Sequence, residues 1–250
     1  MFTNASLSEQ ELGPSLAESL ADLLFEMGKE LLEKKFYEMA VKWLERAYSI
    51  IDGQELDKLS ADASELRTSI IQYSVKSLLS LQQTDATEKA CSLVLILESE
   101  VGDKLIVLLM KLELLSASSD VFDSAAYGSV VQKIIRTVSL SDANFKLILH
   151  HIRKLNDKSP TLACKILDEF LSTRLFETEK LEFVETALIN RLWITTNHRD
   201  DPDLPSSLQG VLENVASNIN KPIGASAAYA AQMVGASCIK LFRSTLTIRS

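Results

Sequence analysis

Residues 20–51, LADLLFEMGKELLEKKFYEMAVKWLERAYSII, carry apolar side chains at helical spacing twice in succession, and no other stretch constrains the fold as strongly. In the first half Leu20, Leu23, Leu24, Met27 and Leu31 recur at intervals of three and four, with Glu18, Asp22, Glu26, Lys29 and Glu33 opposite. That spacing predicts a helix with one buried side. In the second half Tyr37, Ala40, Val41, Leu44, Ala47, Tyr48 and Ile51 form a similar stripe, while Glu38, Lys42, Glu45 and Arg46 face water. Two such helices joined by a short link hide both stripes by folding back on each other. Gly28 and Ala40 are small where their neighbours are large, which predicts that the two backbones approach closely.

The spacing also fits a repeat grammar. Leu24-x2-Met27-Gly28-x2-Leu31, followed by Ala40-x3-Leu44 and Ala47, matches the tetratricopeptide pattern, with Gly53 as the stop and Asp52 where a Pro is usual. Weaker echoes follow at Ala90-x3-Val94 with Leu97, at Ala126, Val130 and Ile134, and at Ala163-x3-Leu167-x2-Phe170. Ala90, Ala126 and Ala163 recur near the period of roughly 34 residues expected of such repeats.

Between these anchors the sequence predicts helices over Ala61–Leu81, with Leu66, Ile70, Tyr73, Ser77 and Leu81 on one stripe, and from Thr84-Asp85 onward with a side-chain cap at its start. Further helices are expected over Lys104–Ala117, Asp120–Val138, Asp142–Leu155, Pro160–Leu175, Glu179–Thr196, Leu204–Ile219 and Ala225–Leu241. The Glu179–Thr196 helix is expected to present Leu181, Val184, Leu188, Leu192 and Trp193 to the core. A hydrophobic share of 46% supplies a large core, and only 8 Gly and 5 Pro leave long helices unbroken. The expected fold is all-α, a right-handed superhelical solenoid of degenerate tetratricopeptide-like helical hairpins. Residues 1–13 read as a flexible tail, 14–245 as a single helical-repeat domain and 246–250 as a loose end.

The net charge of −8 disfavours a nonspecific grip on nucleic acid, and the short basic pairs Lys34-Lys35 and Arg153-Lys154 read as solvated faces. Cys91, Cys164 and Cys238 are far apart, form no CxxC and read as buried, reduced thiols. The first residues lack a basic start and an apolar core, so no secretory signal is read, and the richest apolar run, Leu105–Leu115, is broken by Lys111 and Glu113. Cytosol or nucleus is expected.

His150 and His151 diverge by about 100° on a helix and cannot chelate one metal from the same face, so one core-facing and one solvated imidazole is expected. His198, with Asp200, Asp201 and Asp203 in a polar loop, could in principle serve acid–base chemistry or hold a cation, but such loops are usually only solvated. No P-loop, GxGxxG, GxSxG or HExxH occurs. The chain is therefore expected to be no enzyme, with no catalytic, cofactor-binding or metal residues and no cofactor. A groove lined by the first helices of successive hairpins would instead suit a peptide or partner helix. A carboxylate clamp of the chaperone-binding kind is not expected, because Phe25 and Lys29 stand in the first repeat and no matching Asn stands within Ser74–Leu78.

Several blocks together resemble the fungal form of the meiotic Spo-twenty-two / Zip-four family of tetratricopeptide proteins. They are EMGKELLEKKFYEMAVKWLERAYSI (26–50), KACSLVLILESE (89–100), KLIVLLMKLELL (104–115), ACKILDEFLSTRL (163–175), ETALINRLWITTN (185–197) and AAYAAQM (227–233). The family continues beyond Met233 into further repeats where this chain reads VGASCIKLFRSTLTIRS, so an N-terminal fragment or truncated product is expected. The resemblance implies a nuclear, chromosome-associated, noncatalytic scaffold that promotes crossovers, synaptonemal complex assembly and chromosome segregation. Its partners would be recombination and chromosome-axis proteins, with no direct nucleic-acid, membrane or small-molecule binding. The repeat grammar alone is also met by a general tetratricopeptide adaptor or a subunit of a large cytosolic or nuclear assembly.

Overall fold

The computed structural model describes residues 13–55, 58–117, 122–175, 180–198 and 210. Among these, every regular element is helical: α1 (Pro14–Glu33), α2 (Tyr37–Asp52), α3 (Ala63–Ser80), α4 (Thr84–Val101), α5 (Leu105–Ala117), α6 (Ser124–Thr137), α7 (Asp142–Asn156), α8 (Pro160–Phe170, running into a π-helical turn Leu171–Leu175) and α9 (Leu181–Asn197). The fold is all-α and built of helical hairpins, as the repeat grammar predicts. The helices expected over Leu204–Ile219 and Ala225–Leu241 lie outside the described residues. The chain divides into two compact units, residues 1–120 and 121–250.

In the first unit α1 and α2 close the first hairpin through the turn at Lys34–Phe36. Pro14 starts α1, where its fixed φ suits the first turn and its missing N–H is not needed. At the other end Phe36 N–H donates to Leu31 O and Lys35 N–H to Leu32 O, both at 2.9 Å, while Lys35 adopts φ 64°. This is a Schellman end with lysine where glycine is usual. The turn between α3 and α4 shares the positive φ, with Gln82 at 54° and its N–H donating to Leu79 O at 3.3 Å. The positive-φ residues of the two turns stand 47 residues apart.

Gly28 performs the role its size suggests. A Cβ there would stand 2.6 Å from Leu44 Cγ, and Ala40 is fully buried opposite. One core cluster joins α1, α2 and α3 through Ala21, Leu24, Phe25, Leu44, Ile51 and Ile70. A second joins α3, α4 and α5 through Ile71, Val75, Ala90, Val94, Leu97 and Met110. Because α3 serves both clusters it buries two sides, and Leu66, Tyr73 and Leu81 of its expected single stripe are only half-buried. The buried face of α1 is also rotated from the expected one. Ala17, Ala21, Phe25 and Leu32 are inside, while Leu23 is 60% and Met27 37% exposed, because the close approach at Gly28 sets which side meets α2. Thr84 begins α4 without a side-chain cap, and Gly102 ends that helix at φ 68°, a conformation that suits glycine.

In the second unit Asp123 caps α6 by accepting from Ala126 N–H, and Ser141 caps α7 by accepting from Asn144 N–H. The close approach on α6 falls at Gly128, whose Cβ would meet Leu162 and Ile166 of α8 at 3.0 and 3.1 Å. Ala126, expected inside, is half-buried. Phe145 of α7 stacks on Phe183 of α9 at 4.2 Å between ring centroids and lies 6.1 Å from Phe170 of α8. This aromatic seam draws α9 against both α7 and α8.

Candidate functional site

The inward residues of α7 are Phe145, Ile148, Leu149, Ile152 and Leu155, so helical periodicity turns His150, Arg153 and Lys154 outward. On α9 Phe183, Ala187, Leu188, Arg191 and Ile194 are buried, which leaves Ile189 and Trp193, four apart, on the outer side. They are 55% and 49% exposed. Trp193 therefore does not join the core as expected, and Arg191 takes the inward place. Between the two outer faces lies an open groove of about 610 Å³ lined by His150, Arg153, Lys154, Asp157, Ile189, Asn190 and Trp193.

The groove has a fixed floor. Asn190 Nδ2 donates to Thr186 O at 2.7 Å, and its Oδ1 accepts from Arg153 Nε at 2.8 Å, so the amide holds the guanidinium in place. At the start of the same two helices Lys180 pairs with Asp142 at 3.3 Å. His151 points away from the groove, its Nδ1 lying 2.7 Å from the Tyr127 hydroxyl of α6. Burial lowers its pKa to about 4, helped by the neighbouring His150 and by Lys154, so it is neutral at physiological pH. Lys154 Nζ stands 6.0 Å from the centre of the Tyr127 ring. The expected division of the two histidines, one packed and one solvated, is what the helix produces.

Two buried arginines escaped the sequence reading. Arg191 is fully buried; its Nε donates to Asp168 at 2.7 Å and its Nη1 to Thr195 Oγ1 at 2.5 Å. Burial raises the pKa of Asp168 against the opposing pull of Arg191. Arg67 of α3 reaches Asp52 and Tyr48 of α2 and Glu100 of α4. Burial works against its charge, but the bonds from Glu100 and Asp52 outweigh it and hold its pKa above the ordinary value. The signal was available: Arg67 lies four before Ile71, and Arg191 three and four after Leu188 and Ala187, both on core stripes.

The remaining candidates carry less chemistry. A recess of about 420 Å³ between α1 and α3 is lined by Glu18, Asp22, Asp62 and small polar residues, but Glu18 accepts from both the backbone and the hydroxyl of Ser60. Those bonds hold its pKa below the usual carboxylate range. Phe25 is buried edge-on against Tyr73, and Lys29 pairs with Glu26 at 3.2 Å. Ser74 donates to Ile70 O inside the core. Cys91 is exposed rather than buried, because it follows the inward Ala90, whereas Cys164 is buried. His198 ends α9, its N–H donating to Ile194 O at 3.2 Å, while Asp200, Asp201 and Asp203 lie outside the described residues. No group of side chains able to hold a metal ion occurs among the described residues, and no helix among them is long and apolar enough to cross a membrane.

Neither a curated protein nor a solved structure matches the chain. A family model does: the one described as "Meiosis protein SPO22/ZIP4 like" matches residues 1–234, a span that takes in every helix above and the groove between α7 and α9. A family match over nearly the whole sequence shows that this chain belongs to the SPO22/ZIP4-like family of meiosis proteins.

Proposed function

We propose that the chain is a noncatalytic interaction scaffold of meiosis, nuclear and chromosome-associated, that promotes crossover formation, synaptonemal complex assembly and chromosome segregation by holding recombination and chromosome-axis proteins together. The family match over residues 1–234 carries this reading. Stacked hairpins support it, since they offer extended surfaces suited to a peptide or a partner helix. In this reading residues 14–245 act as a single helical-repeat domain.

Affinity capture of the full chain from cells in meiotic prophase tests the reading. Axis or crossover proteins should be recovered, and loss of the gene should lower crossover number and leave chromosome pairs incompletely synapsed. Recovery of none of these proteins, with normal crossovers in the deletion, would refute it in favour of a general adaptor.

A further inference from the structure

We infer that the α7–α9 groove is a docking site for an acidic peptide segment of a partner protein, one that places an apolar side chain on Ile189 and Trp193 and carboxylates against Arg153 and Lys154. This deepens the scaffold reading and rests on it. Three observations on one surface point to that occupant.

First, one side of the groove is an apolar shelf. Ile189 and Trp193 stand four residues apart on the outer side of α9 and are both about half exposed, while Phe183, Leu188 and Ile194 of the same helix are buried. A tryptophan beside an aliphatic residue offers a flat, rigid seat for one apolar side chain at low entropic cost. Second, the facing wall is basic in a chain that is strongly acidic. Arg153 and Lys154 project from α7 while the chain as a whole carries −8. Among the described residues no carboxylate forms an ion pair with Arg153, whose hydrogen-bond partner is the neutral amide of Asn190. Because Nε is the atom so engaged, the two terminal nitrogens are aimed by that bond and available for a bidentate carboxylate. Third, the chain-wide charge decides among anionic partners. A nucleic acid would meet the repulsion of the whole molecule along its length, whereas a short acidic segment meets only the local basic wall. Asp157 also lines the groove and disfavours a carboxylate placed beside it.

The test uses the full chain and fluorescein-labelled short peptides in anisotropy. One peptide has leucine and phenylalanine flanked by glutamates, a second has lysines for the glutamates, and a third has serines for the apolar residues; a labelled oligo-thymidine is the fourth probe. Only the first peptide should bind. Its affinity should fall about tenfold or more in Trp193→Ala and in Lys154→Glu, and should weaken as salt is raised. Lys154→Glu leaves the Asn190 bond intact, and unchanged thermal melting shows that each variant folds. Four results would overturn the proposal: no peptide binding by the folded wild type, equal binding of the lysine peptide, tighter binding of the oligonucleotide with the same dependence on Trp193, or cross-linking that places residues 199–250 of this chain in the groove. The groove and the scaffold reading fail separately. If meiotic partners are recovered equally by wild type and Trp193→Ala, the groove is refuted and the scaffold stands. If the acidic peptide binds as described but the wild type captures no meiotic partner, the groove stands and the scaffold falls.

Discussion

Arg67 joins three helices of the first unit, and removing its charge should cost far less than removing the charges it faces. Its guanidinium donates to Asp52 at 2.8 Å, to the Tyr48 hydroxyl at 3.1 Å and to Glu100. The arginine side chain is 9% exposed, whereas Asp52 and Glu100 are 46% and 38% exposed. The desolvation therefore falls almost wholly on the cation. In Arg67→Met the two carboxylates regain water and the methionine keeps the packing of the arginine stem, so the loss should be about 1 kcal/mol. In Asp52→Asn with Glu100→Gln the shapes remain but a buried cation loses both counter-charges. Breaking a pair from that side costs about 3–5 kcal/mol, and the amide oxygens still accept, which places the loss near the lower end. At about 2–4 °C per kcal/mol for a chain of this size, the first variant should melt about 2–4 °C lower and the second roughly 6–12 °C lower. Urea unfolding followed by circular dichroism near neutral pH reads these values directly. Adding Arg67→Met to the double variant should then restore most of the lost stability. A double variant no less stable than Arg67→Met, or a triple variant that shows no recovery, would refute the reasoning.

Gly28→Ala should destabilise although alanine is the better helix former. The gain of about 1 kcal/mol in propensity is outweighed by about 1–3 kcal/mol of overpacking against Leu44 atoms at 2.6 and 2.8 Å, and a raised urea midpoint would contradict this. Lys35→Gly should stabilise by up to about 1 kcal/mol, because glycine adopts the φ of 64° without the Cβ clash; an unchanged or lowered midpoint would show the turn to be unstrained. His151 should make stability fall in mild acid. Its pKa is about 4 in the folded chain against an ordinary 6.5, so the unfolded chain binds the extra proton between those values. The contribution is complete above pH 6.5 and is lost as pH falls toward 4, by on the order of 3 kcal/mol at most. Urea midpoints across that range should be flatter in His151→Gln, and parallel curves would refute the assignment.

The parts of the fold legible in the sequence are those fixed by short-range sterics. Gly28, Ala40 and Leu44 could be read as a close approach because only small residues allow two helix axes so near each other, and the structure places them in contact. What spacing could not supply is which edge of a wide apolar stripe faces inward. On α1 eight large apolar side chains, from Leu16 to Leu32, spread around more than half the helix, and the choice between Leu23 and Phe25 is made by where α2 and α3 lie. The same holds on α9, where Trp193 yields its inward place to Arg191, whose partner Asp168 is 23 residues away on another helix. The groove was legible only as a class of surface. Its members, Arg153 on α7 and Asn190 on α9, are 37 residues apart and meet because one intervening helix returns the chain to the same side.

The polar residues at the seams explain how a degenerate repeat still packs in one register. An Ala-Leu stripe specifies that two helices pack, but sliding one by a turn brings similar side chains into the same places, so apolar burial discriminates weakly between neighbouring registers. A charge at the seam discriminates strongly, because a slipped register strands it away from water without a partner. In the first unit Arg67 sets the register of α3 against α2 and α4 together, and Lys111 with Glu98 at 2.5 Å does so for α5 against α4. In the second, Arg136 and Gln132 of α6 hold Glu169 of α8, and Arg191 of α9 holds Asp168 one residue earlier on α8. Adjacent carboxylates on α8 thus answer to helices on different sides, and the position of that helix is fixed from both. The stripe that spells the repeat drives burial, while the charges that depart from it decide which side chains meet, including the pair that lays Arg153 along the groove.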